Sequence, residues 1–363
     1  MFRLRPGRAK SLGILPVAPV QRSRLSNRRV SVWPRFKDRT GAVANSLALG
    51  YAALGTAAGF VLMTQESWAR AAGGVLLTAH AMFIAAYLLH DACHDAIFQR
   101  HVHNRIAGEL MSFVTGAAYA SFERIRQLHL RHHRERIDVA CFDYRACLQR
   151  APSWVRRLVL VLEWAHVPAV ETLMHLQVIV RPFVAPNQRK YLPRVLLVLA
   201  LRMAGFALLA TIAPRALLLY FVAYALLLVA LAFFDAFQHT YDVTIDGNAK
   251  PDRGLRSRDY EQVNTFSNVV SIAHPWLNLL ALNFGYHNAH HQRMGAPWYR
   301  LPALHRELFS ESAQVLPVRE LLRTFHVNRV RRVFDDGYGE VGEGPGRGDR
   351  FVGAHGVSFL SVV

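Results

Sequence analysis

The sequence predicts an all-α integral membrane protein with four transmembrane helices in two hairpins and a helical cap on one side of the membrane. Three observations support this fold class: four long apolar segments, a segregated distribution of basic residues, and short clusters of histidines next to the apolar segments. About 20 apolar residues are enough for an α-helix to cross the hydrocarbon core of a bilayer. With 363 residues, the chain is long enough for one polytopic membrane domain.

The four apolar segments form two closely spaced pairs. They run over residues 43–63, 71–89, 195–213 and 216–234. Only residues 64–70 separate the first pair, and only Pro214 and Arg215 separate the second, so each pair is expected to form a hairpin. The third segment carries Arg202, which must find a polar partner or extend to the membrane surface.

The basic residues predict the orientation of these helices. The net charge of +18 would suggest nucleic acid in a soluble protein, but all except four of the 43 Lys and Arg residues lie in 1–40, 92–191 and 239–363. Because cytoplasmic loops collect Lys and Arg, both termini and the middle segment are expected in the cytoplasm. No nucleic-acid partner is predicted. The Arg- and Ala-rich composition favours a multi-pass protein of a bacterial inner membrane.

The regions outside the four segments complete the predicted domain organisation. Residues 1–40 form a basic cytoplasmic arm suited to anionic lipid, with an organellar transit peptide as the alternative. Residues 41–330 form the membrane domain, and the Gly-rich residues 331–363 are expected to be a disordered tail. The three cysteines form no C-x-x-C pair, which favours a reducing cytoplasm.

Three further apolar stretches are interrupted by charged residues or by histidine and proline. They cover residues 106–122, 158–180 and 268–286. Such stretches predict amphipathic helices that lie on the membrane or pack in the cap. The alternative is an additional pair of crossings, which would bury several charges in the bilayer.

Nine of the 18 histidines have a spacing that is typical of metal ligands. Those three or four residues apart share one face of a helix. Nine imidazoles exceed a single zinc site, and they suit two metals in a nitrogen-rich pocket. Iron fits best, because two adjacent irons can reduce O₂ and produce an oxidant that breaks an unactivated C–H bond. The candidates are His90 and His94 after the second segment, His129, His132 and His133, His239 after the fourth segment, and His287, His290 and His291.

Several polar side chains near these clusters could orient the imidazoles. Metal-bound histidines usually donate their second ring N–H to a carboxylate or a carbonyl. Asp235 precedes His239 by four residues and would share its helical face, although it could equally be a structural acid at the helix end. No catalytic side chain beyond the metal ligands is predicted. The candidates for this orienting role are Asp91, Asp95, Asp235 and Asn283, and Asp138 and Asp242 also lie near the clusters.

These clusters resemble the histidine boxes of the membrane fatty acid desaturase family, within the wider group of membrane di-iron desaturases and hydroxylases. The stretch from Gln238 to Thr240 and the run from Pro297 to His305 are also similar to segments of that family. The resemblance spans roughly residues 45–310. It implies a four-helix stem with a cytoplasmic cap and two irons bound by the nine histidines. The charged run after His133 departs from the family pattern.

The resemblance implies an O₂-dependent fatty acyl desaturase that acts on an acyl lipid, acyl-CoA or acyl-ACP. A hydroxylase or carotenoid ketolase of the same di-iron group is the alternative, because the short spacing of the first box occurs in ketolases as well. A zinc-dependent membrane receptor or a metal transporter is the non-enzymatic alternative. His274-Pro275-Trp276 does not match the haem signature of a fused cytochrome b5 domain. Electrons are therefore expected from a separate donor, such as ferredoxin or cytochrome b5.

Overall fold

The computed structural model describes residues 33–241, 243–245, 256–309, 314–334, 347–357 and 360. From Pro34 onward, the chain belongs to one compact unit. Most of the predicted basic arm, Asp242 and parts of the predicted tail lie outside the described residues.

Within the described residues, the chain is mostly helical. Its helices are α1 (Gly41–Met63), α2 (Trp68–Cys93), α3 (His101–Val114), α4 (Phe122–Glu135), α5 (Tyr144–Arg150), α6 (Ser153–Trp164), α7 (Ala169–Val184), α8 (Leu192–Ile212), α9 (Pro214–Ala236), α10 (Arg258–Val263), α11 (His287–Gln292), α12 (Leu301–Leu308) and α13 (Val318–Val327). Two short strands, β1 (Asp138–Ala140) and β2 (Val243–Ile245), complete the fold.

Four helices of the described residues are long and apolar enough to cross a membrane, as the sequence predicts. They are α1, α2, α8 with the 3₁₀ turn that precedes it, and α9. The helix α2 continues four residues beyond the predicted apolar segment and so includes His90 in its last turn. The interrupted stretches form the shorter helices α3, α6 and α7 and a 3₁₀ turn over Pro275–Ala281.

Glycines bring the backbones of α1 and α2 into close contact. A Cβ atom on Gly74 would lie 2.6 Å from the carbonyl oxygen of Gly59, and one on Gly59 would lie 2.1 Å from Thr78 Oγ1. Small residues at a helix contact are the usual way in which membrane helices approach each other closely. The α1–α2 pair therefore depends on the absence of side chains at Gly59 and Gly74.

Arg215 joins the two short connections of the stem. Its Nη1 donates to the carbonyl oxygens of Gln65, at 3.2 Å, and Glu66, at 3.0 Å, and its guanidinium lies 3.8 Å from the ring centre of Trp68. The connection between α1 and α2 therefore lies beside the start of α9. The last turns of α2 and α9 lie at the opposite end of the stem, where the histidine clusters begin.

Arg202 on α8 finds the polar partners that the sequence requires. Its guanidinium donates to the carbonyl oxygen of Phe113 and, at 3.5 Å, to the hydroxyl of Tyr220. The same group lies 4.8 Å from the centre of the Phe113 ring. These contacts satisfy a charge on an otherwise apolar helix.

The two strands connect separate parts of the cap. They pair in parallel, with Asp138 opposite Val243 and Ala140 opposite Ile245. Because β1 follows α4 and β2 follows the turn after α9, this pairing holds together two chain segments that carry candidate ligands. It supplies a long-range contact that helical spacing alone does not predict.

Part of the C-terminal segment is packed, in contrast to the expected disorder over 331–363. Phe351 is buried with its ring 5.3 Å from that of Phe237, and the Ala354 N–H donates to the Ala236 carbonyl at 2.8 Å. Gly353 has a φ of +84° and lies where a Cβ atom would be 2.8 Å from the Phe237 ring. A few apolar residues within a Gly-rich stretch are therefore enough to anchor residues 347–357.

The glycine contact gives a direct test of the stem. We expect Gly74→Ala to destabilise the protein by about 1–3 kcal/mol, because the added methyl group overpacks the α1–α2 contact. Gly73→Ala is the matched control, since a Cβ there has no neighbour within 4 Å and both changes raise helix propensity equally. Thermal unfolding in detergent measures the difference. Equal unfolding temperatures for the two variants would contradict the proposed contact.

Candidate metal centre

All nine predicted histidines lie together at one end of the stem. His90 occupies the last turn of α2, and His94 is the residue that caps this helix. His239 follows the end of α9, where its backbone forms a bridge with Thr265. The other six lie on α4 and α11. The side chains are buried, except that His132 is partly exposed.

Five of these histidines form a first group. The members are His90, His94, His129, His133 and His290, and each offers a ring nitrogen within 4.8 Å of the others. The Nε2 atoms of His94 and His129 are 2.8 Å apart, and those of His133 and His290 are 3.1 Å apart. Their lone pairs therefore converge on one small volume.

The remaining four histidines form a second group directly beside the first. His239, His287 and His291 offer nitrogens within 4.8 Å of one another, and His132 lies within the same distance of His239 and Asp138. The Nε2 atoms of His239 and His287 are 2.8 Å apart. The rings of His133 and His291, one from each group, are 4.2 Å apart. The site thus consists of two adjacent nitrogen sets.

Burial favours the neutral form of most of these imidazoles. Burial, followed by repulsion from His132, lowers the pKa of His290 to about 3. Burial, followed by repulsion from neighbouring imidazoles, also lowers the pKa of other cluster members well below its usual range. Neutral imidazole is the form that binds metals, so at neutral pH the rings are ready to act as ligands. These other members are His129, His133, His239, His287 and His291.

The residues present fit two adjacent metal ions. Two neutral imidazole nitrogens at about 3 Å either share a proton or direct their lone pairs at the same cation. Imidazole sets of this kind suit iron, zinc, copper and nickel. Among the described residues, the buried His291 Nε2 has no hydrogen-bond partner, as expected for a ligand atom that an ion would complete, since His291 Nδ1 already faces Glu261.

Two carboxylates and one backbone carbonyl orient imidazoles of the second histidine group from outside it. Glu261 Oε1 lies 3.0 Å from His291 Nδ1, and its Oε2 accepts from Arg136 Nε at 2.8 Å. His132 Nδ1 lies 2.7 Å from the carbonyl oxygen of Ile137 and 3.2 Å from Asp138 Oδ1. Sequence analysis missed Glu261, because α10 has only six residues and no periodic pattern links it to a histidine cluster.

Two of the predicted orienting residues, Asp91 and Asp95, have different surroundings. Asp91 Oδ1 lies 3.9 Å from His90 Nδ1, and its Oδ2 accepts from the backbone N–H of Trp298 at 3.1 Å. Asp95 instead pairs with His101, at 2.8 Å, and with Arg126, at 3.0 Å. Asp91 therefore borders the site, whereas the ion pairs of Asp95 face away from the nine histidines.

Asp235 and Asn283 each precede a histidine by four residues, but in neither case do the two residues lie on one helix. The helix α9 ends at Ala236, so the four-residue spacing from Asp235 to His239 runs through a turn. Asn283 has a φ of +58° and donates to the Trp298 carbonyl at 3.3 Å, while α11 begins only at His287. Helical periodicity does not apply across either break.

Comparison with known families agrees with this geometry. The family model described as fatty acid desaturase matches residues 66–321, which include α2, α8, α9 and all nine histidines. No curated protein matches the chain. Because the family match extends over more than half of the sequence, the chain belongs to the fatty acid desaturase family.

Proposed function

We propose that the chain is an O₂-dependent membrane fatty acyl desaturase whose nine histidines hold two iron ions. The observation that carries this proposal is the pair of adjacent, buried imidazole sets in a member of the desaturase family. When bound, two irons supply the O₂ chemistry that removes two hydrogens from neighbouring carbons of an acyl chain. The first histidine group would hold one ion, and the second group would hold the other.

Aromatic side chains form the apolar boundary of this site toward the stem. The ring of Phe284 lies 4.4 Å from that of His90 and stacks on Tyr87 at 4.2 Å. Phe234 on α9 lies 6.3 Å from Tyr87, ring centre to ring centre. Such a layer excludes water from the imidazoles and offers an alkyl chain an apolar path toward them. This arrangement favours a long hydrocarbon substrate over a polar one.

The distribution of charge supports two hairpins with a cytoplasmic cap, in a bacterial inner membrane. The basic residues are concentrated in the segments outside the stem, and Arg215 marks the opposite end near the two short connections. On this topology, residues 1–40 are a cytoplasmic arm and residues 41–330 form the membrane domain, against which residues 347–357 of the C-terminal segment pack. The histidine groups then face the cytoplasm.

The substrate would be an acyl lipid, acyl-CoA or acyl-ACP, with electrons from a separate ferredoxin or cytochrome b5. The sequence offers no haem-binding signature of its own. The net charge of +18 would attract an acidic donor protein to the cytoplasmic face. Anionic membrane lipid would be attracted by the same charge.

Lipid analysis tests the reaction type. On expression in a bacterium, we expect acyl chains that have lost two hydrogens. In a desaturase the oxidant removes a second hydrogen, from the adjacent carbon, instead of transferring an oxygen atom to the substrate. Mass spectrometry of extracted lipids measures this change. Products that gain an oxygen atom would instead identify a hydroxylase or a ketolase. Cells that carry the empty vector provide the background.

Metal content tests the site separately from the reaction. The purified chain should hold close to two irons, and either His132→Ala or His290→Ala should lower this number and abolish turnover, because each removes a nitrogen from one set. His274→Ala is the control, since His274 is exposed and lies outside both groups. Elemental analysis gives the stoichiometry. A single zinc in place of iron would refute the di-iron assignment.

Glu261 should strengthen metal binding by the second histidine group. Loss of a carboxylate that orients a metal-bound histidine typically weakens metal binding by about 10–100-fold. We therefore expect Glu261→Gln to release iron at a correspondingly lower chelator concentration. Asp259→Asn, on the exposed face of the same helix, is the matched control. If both variants retain iron equally, Glu261 does not position His291.

A further inference from the structure

A second cluster of potential ligands lies outside the nine histidines, where the C-terminal segment meets α6 and α7. Glu163 lies near the end of α6, Glu171 near the start of α7, and His355 in the packed C-terminal segment. One ligand atom from each lies within 4.8 Å of the other two. Two consecutive helices and the distant C-terminal segment therefore direct their polar side chains at one point.

The two carboxyl groups are unusually buried for glutamates. The side chains of Glu163, Glu171 and His355 are each only 7–8% exposed. Burial raises the pKa of Glu163 to about 7 and that of Glu171 to about 8. Buried carboxyl groups are normally paired with a cation or protonated, so each of these two needs either a proton or a cation near neutral pH.

Arg332 is close, but it meets this demand only partly. Its charge lowers the pKa of both carboxyls, yet its Nη atoms donate to the carbonyl oxygens of Val352, at 3.2 Å, and Phe325, at 2.7 Å. The guanidinium also lies 4.3 Å from the centre of the Phe325 ring. Among the described ion pairs, none joins Arg332 to either glutamate, which leaves carboxylate lone pairs available.

His355 gives an independent indication of a ligand. Its Nδ1 lies 3.2 Å from Glu171 Oε1, and its Nε2 lies 3.8 Å from Glu163 Oε2 with no hydrogen-bond partner among the described residues. Burial lowers the pKa of His355 to about 3, so the ring is neutral and has only one N–H for two facing carboxylates. The second ring nitrogen therefore directs a lone pair toward a carboxylate oxygen.

A small cavity lies beside these three side chains. Its volume is about 20 Å³, and Glu163, Glu171, Arg332 and His355 are among the residues that line it. About 10–15 Å³ is enough to hold one water molecule. The cavity could therefore accept a single small ion but not an organic ligand.

We propose that Glu163, Glu171 and His355 bind one divalent transition-metal cation at a site distinct from the nine histidines. Two carboxylate oxygens and one imidazole nitrogen form a mixed donor set that suits Mn²⁺, Fe²⁺ or Zn²⁺. The cation would neutralise both carboxylates and accept the lone pair of the second His355 nitrogen. The alternative occupant is a proton on one carboxyl group, whose O–H would face that nitrogen.

Such a cation would attach the C-terminal segment to the cap. The residue next to His355, Ala354, donates its N–H to the Ala236 carbonyl at the end of α9. His239 follows only three residues later. An occupied site would therefore support the turn that carries His239, and an empty one would loosen the C-terminal segment first.

Mn²⁺ binding to the full-length, iron-loaded protein tests this proposal. Equilibrium dialysis should find one more Mn²⁺ per chain in the wild type than in Glu171→Gln or His355→Gln. Tryptic cleavage after Arg350, which is exposed, should slow about tenfold when free Mn²⁺ reaches ten times its dissociation constant, because the cation binds only the packed segment. His326→Gln, an exposed histidine nearby, should behave as the wild type.

Two outcomes would overturn the proposal. In one, the variants retain the iron of the wild type and bind as much Mn²⁺ as it does, so the three residues form only a proton-sharing structural cluster. In the other, the variants lose iron through misfolding and Mn²⁺ fails to protect Arg350 in the wild type. Where the variants misfold, protection of Arg350 in the wild type supports the site; where they fold, support also requires that they bind one Mn²⁺ fewer than the wild type.

Discussion

The burial of a cluster of imidazoles at one end of the stem is the constraint on which the rest of this structure depends. All nine rings except the partly exposed His132 are buried, and neighbouring nitrogens come as close as 2.8 Å. Polar groups in such surroundings must be paired or coordinate a metal, since the desolvation cost is otherwise uncompensated. With the proposed ions bound, the segments that carry the histidines would gain stability jointly with them, because folding and metal binding are then two aspects of one equilibrium.

The supports of the site differ between its two sides. His90 belongs to a long helix that packs along the stem, so its position is as rigid as the stem itself. His239 lies in a turn that is held by the bridge to Thr265, by the β1–β2 pairing and by the C-terminal segment. Irregular backbone of this kind needs long-range hydrogen bonds to keep a side chain in place. This explains why a segment expected to be disordered is packed close to the site.

Local patterns predicted the four long helices and picked out the nine histidines that the structure brings together, whereas they could not predict long-range contacts. The four long helices follow from hydrophobic length, and the nine histidines follow from short-range spacing. Glu261 and the packing of Phe351 depend on residues far away in the chain, which a single sequence does not pair. The expectations for Asp235 and Asn283 differ from the structure for a related reason. They assumed helical periodicity beyond the last residue of α9 and before the first residue of α11.

The arrangement of the two nitrogen sets explains why two clusters contain adjacent histidines. Residues four apart on a helix share a face, and His129 and His133 accordingly belong to the first set, while His287 and His291 belong to the second. Neighbouring residues point about 100° apart. His132 and His290 therefore each join the opposite set. Because α4 and α11 both contribute to both sets, the separation between the sets follows from the geometry of two short helices rather than from the loops around them.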